Sequence, residues 1–244
     1  MPFENISPDP DQEYFSDGLT EEIITDLSYI HELLVISRSS VMTFKGTKKK
    51  ITEIAKELNV RYVLEGSVRK AGNKLRITAQ LIDAMTDTHL WAEKYNGTLD
   101  DVFDIQEKVS RSIADELQII LSSEEKKKIQ ERPIDNVLAY DFYLRAIREI
   151  YSFSKDRLDY ALELLNKGLD IIGENAVIYA GIAYTYSQYA NLGFEQEENI
   201  NKADIIIPNI TLKFIFNSYN SNSKPIDPIT GIILIALTLE GDLS

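Results

Sequence analysis

Few residues of this 244-residue chain have the type and spacing of a reaction centre. Asp17, Glu21 and Glu22 place carboxylates within about one turn of a predicted helix, and paired acids of this kind can do general acid–base work. The same residues have a structural account, with Asp17 as N-cap and the glutamates where the helix dipole favours negative charge. Gly46-Thr47-Lys48-Lys49-Lys50 offers cations to a phosphate but lacks the G-x4-GK[ST] spacing that wraps one in backbone N–H groups, and it reads as a solvated loop. His89 and Trp91 share a strand face by simple alternation, and the reading is a core Trp with a partly buried His rather than a ligand-stacking pair. Arg69, Lys70, Lys74 and Arg76 crowd a hairpin, which reads as a solvated tip. No reading here requires a catalytic residue, a cofactor or a metal, so the chain is expected not to be an enzyme.

Composition supports that expectation. There is no cysteine, which removes disulfides, thiolate nucleophiles and Cys-ligated zinc, and the two histidines leave little material for imidazole chemistry. A formal net charge of −13 opposes phosphate backbones, so this chain itself is expected to bind no nucleic acid. The start lacks the basic flank and apolar run of a signal peptide, and the apolar stretch Gly231 to Leu239 is too short for a membrane span. The expected location is the cytoplasm.

The elements that position these residues follow from hydrophobic period. Leu19, Ile23, Ile24, Leu27 and Ile30 recur at helical spacing, Leu33 to Ile36 reads as a buried strand, and residues 37–50 read as a loop. Ile51, Ile54, Ala55 and Leu58 mark a short helix. Residues 62–69 and 75–83 flank a turn at 71–74 as a β-hairpin, a third strand spans His89 to Tyr95, and Asn96-Gly97 makes a turn. Val102 to Leu121 is a long amphipathic helix. Charged residues 123–135 read as a linker, and the signal from 136 to 204 is helical throughout. Residues 205–244 lose that periodicity and are expected to be poorly ordered; a change of frame near Ala203 would account for the break.

The stretches at 2–23, 34–41 and 55–69, with Thr86 to Tyr95 and Val102 to Gln106, resemble the TolB amino-terminal-like domain, which is related to the FlgO family. The resemblance implies a mixed α/β sheet domain with flanking helices over residues 1–122, its first strand cut short at Met1 as in a fragment. Ala161, Leu165 and Gly168, then Ala180, Gly181 and Tyr184, resemble the small and large positions of tetratricopeptide repeats. That implies an α+β domain followed by an all-α helical-hairpin region at 136–204, one and a half repeats long and open to self-association through the incomplete stack. Carried over to this sequence, the partner-binding groove falls on Tyr143, Ile147, Ile150, Ile178, Ile182 and Thr185.

The expected function is therefore a non-catalytic protein-interaction, scaffolding or sensory fragment of a bacterial signalling protein, holding a protein partner or peptide on the repeats. The alternative is the regulatory region of a nucleotide cyclase, a Ser/Thr kinase or a winged-helix regulator whose effector lies upstream.

Overall fold

The computed structural model describes residues 1–194, which divide into two units at Arg132/Pro133. The expected poor order of residues 205–244 lies outside the described residues.

In the first unit, β2 (Tyr62–Ala71) and β3 (Lys74–Asp83) form the expected hairpin, and Gly72 takes φ +58° at its tip, a conformation open to glycine. Antiparallel β4 (Thr88–Thr98) extends the sheet on one side. On the other side β1 (Glu4–Asn5) runs parallel to β2, giving the order β1-β2-β3-β4. Residues 1–6 thus line the β2 edge: Met1 N donates to Leu64 O and Ile6 N to Val68 O.

One sheet face carries buried Val68, Leu75, Ile77, Ala79 and Leu81 and lies beneath α1 (Glu13–Ser28) and α4 (Val102–Glu116). Their helical stripes of Leu19, Ile23 and Leu27, and of Val102, Ile105, Val109 and Ile113, are buried. Each such side chain contributes about 1.5–3 kcal/mol by leaving water. The opposite face is covered at one end, where Ala55 of α3 (Ile51–Leu58) packs with Val63 and Ala84.

Several local expectations need correction. Residues 33–36 form no strand; Leu34 is 98% exposed, so apolarity alone did not secure a pairing edge. The polar stretch after them contains α2 (Arg38–Met42). Asn96-Gly97 lies inside β4, opposite Arg76 and Leu75, rather than in a turn. The helix expected to reach Leu121 ends at Glu116, because Gln118 adopts φ +59° and Ile119 N turns back to Ala114 O. Residues expected to be linker contain α5 (Ser123–Gln130), opened by a reciprocal Ser122–Glu125 capping box and tied to the first unit by His31 N donating to Glu125 Oε1.

The second unit packs α6 (Val137–Ile150), α7 (Lys155–Ile172) and α8 (Ala176–Asn191). Asn136 and Asn175 cap α6 and α8 by accepting two backbone N–H groups each. Gly168 and Gly181 allow close approach: a Cβ on Gly168 would stand 2.9 Å from Ile178 Cδ1, and one on Gly181 3.1 Å from Leu165. Glu149, 2% exposed, is held between Arg148 and Arg157. The coarse expectation of an α+β chain is met by a mixed sheet with helices.

Candidate interaction surface

Two members of the acidic triplet, Asp17 and Glu21, are engaged by basic side chains. Asp17 sits inside α1, a full turn past its start, and pairs with Lys45 Nζ, which also meets Glu13 at 2.6 Å. Glu21 pairs with Arg38 at 3.4 Å. The N-cap role expected of Asp17 is corrected: Asp9 accepts from Asp11 N and caps the short 3-10 turn leading into α1. Among the described residues no three carboxylates or imidazoles converge to hold a metal ion, and no helix is long and apolar enough to cross a membrane.

Register also separates His89 from Trp91. Leu81 pairs with Trp91 and Ile82 with His89, so a bulge at Leu90 sends the two side chains to opposite faces. His89 is exposed and Trp91 half-buried towards the helices. Simple alternation fails here because one extra residue inverts the parity of everything before it.

The four hairpin cations divide between the two faces. Lys70 pairs with Leu75 on the helix-covered face and is only 6% exposed. Its Nζ donates to Tyr14 Oη at 2.9 Å and stands 4.9 Å from the Phe15 ring centroid, tying β2 to α1 by a hydrogen bond and a cation–π contact. Arg69, Lys74 and Arg76 lie on the other face. There the register joins Arg69 directly to Arg76 and Thr78 to Lys94, with Ser67 beside Thr78. Arg69, Lys74, Arg76 and Lys94 are all exposed, and no carboxylate of the described residues pairs with them. Arg76 Nε donates to Asn96 Oδ1 at 2.8 Å; of the acids on this face, Glu65 accepts from Gln80, and exposed Glu4 stands opposite Ser67 at the β1 edge. The result is a face on which four exposed cations stand with two acids, a local excess of positive charge in a chain of net charge −13. Lys94 joins the other cations because β4 pairs with β3 in the register that sets Lys94 opposite Thr78.

A second electrostatic feature lies between α1 and α4. Burial pushes the Asp26 carboxyl up to about 8, reinforced by Glu22 one turn away, while Ser110 Oγ donates to it at 3.1 Å. Desolvation likewise raises Glu22 to about 7.

The six residues assigned to a partner groove, Tyr143, Ile147, Ile150, Ile178, Ile182 and Thr185, are each at most 7% exposed. They fill the helical core of the second unit; Tyr143 reaches towards Gly181, and Thr185 Oγ1 donates to Gly181 O.

With this geometry in place, comparison with known proteins adds two findings. The family model of the HilA/YgeH-like transcriptional regulator, second domain, matches residues 1–114. It corrects the TolB amino-terminal-like and tetratricopeptide resemblance. The quoted motifs mark strand ends, turns and helix starts that an α/β framework needs under any name, and small residues at Ala161, Gly168, Ala180 and Gly181 serve any closely packed helix pair. The chain is also 42% identical over 183 residues to a protein of Rhizobium meliloti (strain 1021) named "Putative adenylate cyclase 3". That similarity covers 75% of this chain and 31% of the relative, and at 183 residues it is longer than either structural unit, so it includes parts of both. The chain is thus similar to one part of a cyclase-named protein and, through its sheet domain, to one domain of a transcriptional regulator.

Proposed function

We propose that the two units act as a non-catalytic regulatory region in signal transduction, working beside a nucleotide cyclase effector. The observation that carries this reading is the similarity that runs through both units into a cyclase-named relative. A cyclase needs carboxylates that place metal ions on the triphosphate, and the clustered acids of the first unit are instead occupied by ion pairs, capping and burial. The test is to incubate the purified chain with ATP and Mg²⁺ or Mn²⁺ and measure cyclic nucleotide. No turnover is expected; turnover above the rate without protein would defeat the proposal. Added to a cyclase carrying this region, antibody against the sheet domain is expected to change the rate.

A second reading is supported by the match of residues 1–114 to a domain of a transcriptional regulator. Here the same region would govern a DNA-binding effector while contacting protein rather than DNA. The readings separate when the region is removed from a polypeptide that joins it to an effector: cyclic nucleotide output changes under the first, promoter occupancy under the second.

A further inference from the structure

The geometry points to the open face of the first unit's sheet as a docking surface for a carboxylate-rich segment of a protein partner. This deepens the regulatory reading by naming the partner's chemistry, and it applies with either effector. The cations involved are Arg69, Lys74, Arg76 and Lys94, with Ser67 and Thr78 between them. Arg69 and Arg76 are direct cross-strand partners, an arrangement of like charges that is unfavourable on its own. The four cations are exposed on one side of three adjacent strands; no carboxylate among the described residues forms an ion pair with them, the acids of this face being Glu4 at the β1 edge and Glu65, which is bonded to Gln80. An anion bridging the two guanidinium groups would relieve that repulsion, and paired Arg forks match carboxylates bidentately.

Charge complementarity selects a short acidic peptide over nucleic acid. The rest of the chain is strongly acidic and repels an extended polyanion. The face presents strands rather than a helix to a groove, and the residues set among the cations, Ser67, Thr78 and Asn96, include no aromatic on which a base could stack; His89 stands at the other end of the strands, beside Ile82.

The full chain is titrated into a fluorescein-labelled peptide of about a dozen residues rich in Asp and Glu, into its Asn/Gln counterpart, and into a short duplex DNA, with anisotropy read at rising salt. The acidic peptide is expected to bind, the amide peptide not, and affinity to fall with salt. The double substitution Arg69→Glu/Arg76→Glu is expected to weaken binding at least about tenfold, since each removes and reverses a contacting charge. The control Lys48→Glu/Lys126→Glu makes the same change in net charge at exposed sites elsewhere and is expected to leave affinity within about twofold. Circular dichroism checks folding, and Lys94→Glu on the edge strand supplies an independent variant expected to weaken binding. Equal loss in the control, tighter binding of duplex DNA than of peptide, or no peptide binding at low salt would each overturn the assignment. None of these outcomes bears on whether the chain turns over ATP, so failure here and failure of the regulatory reading are distinguishable.

Discussion

Asp26 shows how one carboxyl ties the stability of the first unit to pH. It lies on α1 against Ser110 of α4, with Glu22, Glu107 and Tyr29 as its titratable neighbours. Its folded value of about 8 exceeds the ordinary carboxylate value of about 4 that the unfolded chain retains. Between those values the folded state holds a proton that the unfolded state has released. Stability therefore falls as pH rises through this window and levels off above it. Glu22, raised to about 7, acts in the same sense. Asp26→Asn is expected to gain stability relative to the parent between about pH 5 and pH 8, seen as a flatter dependence of the urea midpoint on pH. A variant that tracks the parent at both values would show that this carboxyl is not desolvated.

At the scale of elements, the short β1 stays on the sheet because β2 leaves room for it. Gly66 faces α1, and a Cβ there would strike the Phe3 ring and stand 2.6 Å from Thr78 O. Phe3, 1% exposed, also donates its backbone N–H to Thr20 Oγ1 of α1, so a single residue ties the β2 strand, through its ring, to the helix, through its backbone. Gly66→Ala should cost about 1–3 kcal/mol, as overpacked cores do. Adding Phe3→Leu should recover part of the loss, which a double-mutant cycle in urea would quantify. Additive effects would mean that the glycine serves some other need. In the second unit, Glu149 depends similarly on two arginines from its surroundings, since a buried carboxylate is tolerable only when its oxygens are paired.

At the scale of the whole molecule, each unit has its own core: Leu19, Ile23, Ile77 and Val109 in the first, Ile150, Leu158, Leu165 and Ile178 in the second. A fragment of residues 1–132 is accordingly expected to fold alone and unfold in one cooperative step. It keeps α5, whose Glu125 accepts from His31 N. Amide exchange on the fragment checks this: β2 and β3 should be protected as they are in the full chain, and rapid exchange throughout would refute an autonomous first unit.

Period and turn chemistry in the sequence determined the hairpin at 62–83, the amphipathic helices of the sheet domain and the helical character after residue 136, because these depend on neighbours a few residues apart. The absence of cysteine and the net charge of −13 were equally legible and bounded the chemistry. The cationic face of the sheet was not. Arg69 and Lys70 are adjacent in sequence, yet one joins an exposed cationic face and the other is buried against Tyr14 and Phe15. Lys94 reaches that surface through the β3–β4 pairing register, and His89 parts from Trp91 only through a bulge that the local pattern does not announce. Helical spacing put Tyr143 and Ile178 on helix faces, but whether those faces meet solvent or another helix was settled by the packing of α6, α7 and α8. Side-chain period is a property of the local chain; which side of a sheet or helix is covered depends on contacts between residues far apart in sequence, and only the tertiary structure decides them.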